Sequence, residues 1–292
     1  MENGFRGLHP FVLLVYYIFS AILIMLFNHP AFLVTMLVLF IGVNVTHDRG
    51  KALKAWAVPL IIMGLVFSLM NPLFVSRGTH ILFYLGHRQI TLEALMYGIV
   101  MAFMLVTVIV LFVSFNLILN GAKFLYVFSK IVPRTAFLMM LTIRFVPLLK
   151  GRFDEILAVQ RIRGMTMTDG SIRQRARNGM NMIQTLLTWS LEEAIQTADS
   201  MQARGYGLGK KSSYILYRMQ KRDWWTIGVL VFLLGVAIFG YAYGYGQIVI
   251  YPELGTLQFY PLDWVTYIAV SVIIAWPIVI EGAERLRWTF YK

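Results

Sequence analysis

QRIRGM at residues 160–165 and QARGYG at residues 202–207 are two similar stretches, and each closes a run of residues typical of a helix. Before the second stretch, residues 183–201 carry apolar side chains at steps of three and four, with polar side chains between them. This period predicts an amphipathic helix of about five turns. Before the first stretch, residues 153–159 predict a shorter helix, with acidic residues near its start and arginines near its end, as the helix dipole favours.

Both stretches contain an Arg-Gly pair, and the two pairs are 41 residues apart. Glycine commonly ends a helix in the left-handed conformation, and a basic residue is favourable in the last helical turn. We therefore expect Arg163 and Arg204 to project from two helix ends, which Gly164 and Gly205 terminate. One such pair is an ordinary helix stop, whereas two of them favour a surface that docks into acidic pockets on other proteins.

The composition is that of a membrane protein. Of the 292 residues, 59% are hydrophobic and only 14% are charged, whereas about a quarter of the residues of a soluble domain are charged. The sequence contains no cysteine, which excludes disulfides, zinc thiolate sites and thiol catalysis.

Basic residues are concentrated in the middle of the chain. Residues 121–222 hold 17 Lys and Arg against 6 Asp and Glu, and the other 190 residues hold 9 against 8. Basic charge outside the bilayer marks the cytoplasmic side of a membrane protein, and it also attracts anionic lipid headgroups. These arginines alternate with apolar helix faces instead of forming a solvated stripe, so we expect no nucleic-acid partner.

Hydropathy predicts about six membrane spans. They cover residues 11–27, 31–45, 56–70, 95–119, 224–245 and 263–280. An even number of spans places both termini on the same side of the membrane. The placement of the basic residues makes that side the cytoplasm. The predicted fold is therefore all-α: a polytopic helix bundle formed by residues 1–120 and 223–292, with a cytoplasmic helical coupling domain at residues 121–222.

Shorter segments connect these spans. We expect residues 46–55 to form an inner loop and residues 76–92 an outer loop. Within the cytoplasmic domain, residues 135–149 predict a helix at the membrane interface that ends near Pro147, and residues 165–179 predict a polar connector.

No catalytic or ligand-binding pattern is present. GYGLGKKS at residues 205–212 lacks the glycine spacing and the hydroxyl residue of a phosphate-binding loop, so we expect no ATP bound by this chain. Aspartate clusters for divalent metals are missing, and no acidic residue lies in the middle of a predicted span. We therefore predict a non-enzymatic scaffold without catalytic, cofactor-binding or metal-binding residues. A membrane-embedded transferase and a self-contained secondary carrier remain alternatives.

These motifs give the chain a resemblance to a known family. LHP at residues 8–10, NPLF at residues 71–74, RFVP at residues 144–147 and the two Arg-Gly pairs resemble the transmembrane T-component (EcfT/CbiQ family) of energy-coupling factor transporters. The resemblance implies a prokaryotic ABC importer of vitamins or transition-metal ions in the cell (inner) membrane. It also implies two cytoplasmic ATPase subunits, which bind ATP and Mg²⁺, and a membrane S-component, which binds the substrate.

The resemblance also assigns the site residues. In that family, an Ala-Arg-Gly motif ends each of two coupling helices, and its arginine enters a groove on one ATPase. The second motif matches this pattern fully, and the first retains its arginine and glycine but has Ile162 in place of alanine. The implied ATPase-coupling residues are Arg163, Gly164, Ala203, Arg204 and Gly205.

Overall fold

The computed structural model describes residues 4–75, 78–85, 88–163, 171–209, 217–251, 255 and 260–290. Helices dominate these residues, which confirms the predicted all-α class. The helices are α1 (Pro10–Leu26), α2 (Pro30–Asp48), α3 (Lys51–Phe74), α4 (Leu92–Ile118), α5 (Gly121–Ile131), α6 (Pro133–Ile162), α7 (Ile172–Ala203), α8 (Lys221–Ala242) and α9 (Pro261–Phe290). A 3₁₀ turn, Phe5–Gly7, precedes α1, and the strands β1 (Ile81–Leu85) and β2 (Arg88–Thr91) form an antiparallel hairpin.

The chain divides into two compact units. The first, which we call the bundle, contains residues 1–124 and 217–292, and the second, the coupling unit, contains residues 125–216. The assignment of residues 121–222 to the cytoplasm, and of residues 1–120 and 223–292 to the membrane domain, stays a prediction.

Five helices of the bundle are long and apolar enough to cross a membrane, namely α2, α3, α4, α8 and α9. Helix α1 is also apolar but has 17 residues. At 1.5 Å per residue it measures about 26 Å, close to the roughly 30 Å of a bilayer's hydrocarbon core. The protein is therefore a multi-pass membrane protein. Helix α1 corresponds to the span predicted at residues 11–27, which stays a prediction.

Two predicted loops contain more regular structure than we expected. Residues 46–55 lie almost entirely in α2 and α3, which are joined by a tight turn with Arg49 at φ 51° and Gly50 at φ 72°. The loop predicted at residues 76–92 contains the β1–β2 hairpin. The charged residues that suggested the first loop lie at the end of α2, in the turn and at the start of α3.

The helices of the coupling unit are longer than predicted. Helix α6 runs through Pro147 without ending. An interior proline costs roughly 3 kcal/mol, but contacts with α7 and the turn after it, at Phe137 and Arg152 on the two sides of the proline, stabilise the continuous helix. Helix α7 begins at Ile172, where the Ser171 side chain accepts a hydrogen bond from the Gln174 N–H. The predicted connector at residues 165–179 is therefore wrong over its second half, where arginines are good helix formers.

Helix α4 contacts α1, α2 and α3. It approaches α3 so closely that a Cβ on Gly98 would lie 2.7 Å from the Ser68 carbonyl oxygen. Small residues allow such close backbone packing in membranes. Hydrogen bonds add specificity to the packing, since the Tyr17 and Ser114 hydroxyls lie 2.7 Å apart between α1 and α4.

The first two helices begin in the same way. His9 and His29 precede a proline at the first helical position, and each ring Nδ1 accepts the N–H two residues later. The Asp223 carboxylate accepts the His9 N–H and also caps α8. Burial lowers the pKa of His29, with the Asp263 carboxylate acting in the opposite direction. In the neutral ring of His29, Nδ1 can accept the hydrogen bond from the Ala31 N–H.

Candidate functional site

Helices α6 and α7 form an antiparallel pair in the coupling unit. The Phe137 ring, near the start of α6, stacks on Tyr206, just beyond the end of α7, with centroids 5.4 Å apart. Near the middle of both helices, the Arg152 guanidinium lies 4.8 Å from the centre of the Trp189 ring. These two contacts show that α6 and α7 run in opposite directions. Arg163 and Arg204, each at the C-terminal end of its helix, therefore lie at opposite ends of the two-helix unit.

The end of α7 has the hydrogen bonds of a Schellman motif. The Gly205 N–H donates to the Gln202 carbonyl at 2.9 Å, and the Tyr206 N–H donates to the Met201 carbonyl at 3.0 Å. Gly205 has φ 80°, the left-handed conformation expected from the sequence. A residue with a Cβ loses about 1–2 kcal/mol in this conformation, so glycine fixes the direction in which the chain leaves Arg204.

Arg163 at the end of α6 has nearly the same backbone conformation as Arg204 at the end of α7. Arg163 is the C-terminal capping residue of α6, with φ −79° and ψ 3°, and Arg204 caps α7 with φ −81° and ψ 6°. The Arg163 N–H donates to the Val159 carbonyl at 3.3 Å. Gly164, the predicted terminator, lies outside the described residues.

Both arginine side chains are exposed. Among the residues that the structure describes, neither guanidinium has a hydrogen-bond or ion-pair partner. Phe137 and Arg163 are 26 residues apart on α6, which is about 39 Å along the helix axis. The two cations are therefore presented at two separate places on one rigid pair.

Apolar side chains accompany the arginines at both helix ends. Ile162, the last residue of α6, is 87% exposed, and Leu208, four residues after Arg204, is 89% exposed. Ala203, at the position equivalent to Ile162, is also exposed. The sequence analysis did not identify Leu208, because a single leucine beyond a helix end has no periodic signal.

One side of α7 carries an exposed apolar stripe. It consists of residues spaced by three and four, each at least 46% exposed: Met180, Ile183, Leu187, Leu191 and Ile195. Met182, which is buried, and Trp189, which contacts α6, lie on the opposite side of the helix. The predicted amphipathic face is therefore present, begins one turn earlier than expected, and is left uncovered by α6.

The described part of the chain contains no group of three or more His, Cys, Asp or Glu residues that could hold a metal ion. The expected lack of catalytic and cofactor-binding residues stays a prediction.

The matching family model and the similar proteins indicate the same family. Residues 3–215 match the family model of CbiQ, described as cobalt transport protein. The energy-coupling factor transporter transmembrane protein EcfT of Macrococcus caseolyticus is 25% identical over 250 residues, which cover 82% of this chain and 92% of the relative. EcfT of Lacticaseibacillus paracasei is 30% identical over 62% of this chain and 72% of the relative. EcfT 1 of Listeria monocytogenes is 29% identical over 75% and 84%.

The family match includes both Arg-Gly pairs and the helices that carry them. The chain therefore belongs to the EcfT/CbiQ family, the transmembrane T-components of energy-coupling factor transporters.

Proposed function

We propose that this chain is the coupling scaffold of an importer for vitamins or transition-metal ions. In this proposal, two cytoplasmic ATPases bind ATP and Mg²⁺, and their movement passes through α6 and α7 to a membrane S-component that holds the substrate. The observation that carries the proposal is the pair of exposed arginines, Arg163 and Arg204, at opposite ends of two packed helices.

The geometry of the arginines supports two similar partners. Their backbone angles agree within a few degrees, and both lack a partner among the described residues. Two equivalent cations about 39 Å apart along a helix suit one groove on each of two equivalent subunits. A planar guanidinium binds a carboxylate through two parallel hydrogen bonds, which gives such a contact both strength and orientation.

The stripe on α7 supports a second partner. An apolar face that its own chain leaves uncovered marks a surface for another protein. In the proposed complex the S-component covers it, and substrate specificity belongs to that subunit. The description of the matched family names cobalt, which supports a metal ion as the substrate. The proposal of a vitamin as the substrate rests only on the resemblance to other T-components.

Co-purification tests the proposal. We expect this chain, co-expressed with the ATPases and the small membrane proteins encoded beside its gene, to be isolated with two ATPase subunits and one small membrane protein. Uptake by the reconstituted complex should require ATP, and the isolated chain should show no turnover. An isolated chain that acts as a transferase, or that carries a substrate in liposomes without ATPases, would contradict the proposal.

Cysteine labelling tests the orientation in the prokaryotic cell (inner) membrane, for which we propose that both termini are cytoplasmic. Gln196 on α7 and Gln247 beyond α8 are both exposed, and the sequence contains no cysteine. In intact cells whose outer face is accessible, an impermeant maleimide should label Gln247→Cys and leave Gln196→Cys unlabelled until the membrane is opened. The reverse pattern would invert the proposed topology.

A further inference from the structure

Strand β1 of the hairpin that joins α3 to α4 exposes apolar side chains on both of its faces, whereas Ile90 on β2 is buried and β2 contacts α3 and α4. Phe83 pairs with Ile90, and Tyr84 pairs with Gln89 across the two strands. Successive residues of a strand point to opposite faces, so Phe83 and Tyr84 project to opposite sides of the hairpin. Phe83 is 53% exposed and Tyr84 is 62% exposed. Ile81 and Leu82, at the irregular position before them, are exposed as well.

This pattern differs from a protein-docking surface. A protein that packs on a hairpin covers one face, and the other face then carries polar residues. Here both faces of β1 expose apolar side chains at once, as a surrounding lipid phase allows. Helix α3, which precedes the hairpin in the chain, also exposes apolar residues along most of its length up to Phe74.

The backbone limits the depth at which the hairpin lies. A two-stranded hairpin leaves the N–H and C=O groups on both outer edges without strand partners. Such groups are costly in hydrocarbon, where water cannot bind them. Aromatic side chains, in contrast, are enriched at the level of the lipid headgroups. Phe83 and Tyr84 therefore suit the interface between the headgroups and the acyl chains.

The charges of the segment are complementary to phospholipid. Residues 76–91 contain two arginines and two histidines but no aspartate or glutamate. The two arginines, Arg77 and Arg88, lie on opposite sides of the apolar run in the sequence. Lipid phosphate groups attract basic residues at a membrane surface.

The hairpin is fixed to the end of α4. The Glu93 carboxylate, which is fully buried, accepts hydrogen bonds from the Thr79 and His80 N–H groups at 3.2 and 3.0 Å. The His80 Nδ1 lies 2.9 Å from the same carboxylate oxygen, Oε1. These bonds hold the first residues of the hairpin at the level where α4 begins.

We propose that the β1–β2 hairpin is a lipid anchor that lies in the headgroup region of the bilayer and contacts phospholipid with both faces. The anchor sets the depth of the adjoining ends of α3 and α4 in the membrane. This inference needs only that the bundle spans a membrane, and it does not depend on the proposed coupling function.

Fluorescence quenching in nanodiscs of anionic and zwitterionic phospholipids tests the anchor on the full-length chain. Phe83→Cys and Tyr84→Cys, each labelled with an environment-sensitive dye, sample the two faces. We expect nitroxide on lipid headgroups to quench both labels at least about twofold more than nitroxide at mid-chain, because interfacial residues lie at headgroup level. Aqueous iodide should quench neither label strongly.

Two further labels calibrate the measurement. Ile62→Cys, at an exposed position in the middle of α3, should be quenched most by the mid-chain nitroxide. Gln196→Cys on α7 should respond mainly to iodide. Iodide quenching of both hairpin labels, or lipid quenching of one face alone, would overturn the anchor. Lipid quenching that disappears when a partner membrane protein is added would assign the hairpin to a protein interface instead.

Discussion

Arg163→Ala/Arg204→Ala is expected to abolish both ATPase binding and substrate uptake. Removing one partner of a partly desolvated ion pair costs roughly 2–5 kcal/mol, much of it because the other charge is left unpaired. Each 1.4 kcal/mol is about a tenfold change in affinity, so the loss of one arginine weakens its own contact by about thirtyfold or more. The loss of both leaves no cationic contact on either helix end.

The single variants should separate assembly from transport. Two contacts on one chain raise each other's effective concentration, so the complex should persist in Arg163→Ala or Arg204→Ala while uptake falls. Arg204→Ala should have the larger effect, because its Ala-Arg-Gly motif is complete and Gly205 fixes its direction. Lysine at position 204 keeps the charge without the planar fork and should restore only part of the uptake.

Pull-down of the ATPases together with uptake measures these effects. The matched control is Arg173→Ala/Arg177→Ala, which removes the same charge from two exposed positions of the same unit. We expect this control to assemble and to transport normally. If the Arg163→Ala/Arg204→Ala double variant behaves as its control does, the two arginines are ordinary helix stops.

Leu187→Asp/Leu191→Asp is expected to prevent uptake and to leave ATPase binding intact. Both leucines are more than half exposed in the isolated chain, so the chain should still fold. Burial of a leucine contributes about 1.5–3 kcal/mol, and an unpaired carboxylate in its place adds a desolvation penalty. Two such changes on the α7 stripe should weaken the contact with the S-component by at least about a hundredfold.

The control for this prediction adds the same charge elsewhere on the helix. Thr185→Asp/Gln196→Asp places two carboxylates on exposed positions away from the stripe. Co-purification of the small membrane protein is the measurement. Loss of the small membrane protein in this control as well would show that added negative charge, and not the apolar stripe, controls the association.

Local chemistry was sufficient to predict several features of the fold. The apolar runs predicted the spans, and Gly205 adopts the conformation that its position after Arg204 indicated. The predicted helix end near Pro147 was wrong, because packing of α6 against α7 stabilises the helix on both sides of the proline. The hairpin at residues 81–91 could not be predicted from alternation, because apolar residues occupy both faces of β1.

The candidate site was predictable in part. The repeated Arg-Gly pairs identified both arginines, since their signal lies within a few residues. The antiparallel arrangement of α6 and α7 depends on the contacts of Phe137 with Tyr206 and of Arg152 with Trp189, which join positions 69 and 37 residues apart. Sequence periodicity carries no information about such distant pairs, so the wide separation of the arginines became apparent only in the folded chain.

The ring contacts between α6 and α7 also determine how the pair would move. Helices α6 and α7 have 30 and 32 residues, which makes each about 45–48 Å long. Arg163 and Arg204 lie on opposite sides of the contact between Arg152 and Trp189, one on each helix. Partners that move sideways while bound to these two ends would change the angle at which α6 and α7 cross at that contact. A rotation of either helix by about 10° about this contact would displace Arg204, about 22 Å away along α7, by about 4 Å and Arg163, about 16 Å away along α6, by about 3 Å. It would turn the apolar stripe through the same angle.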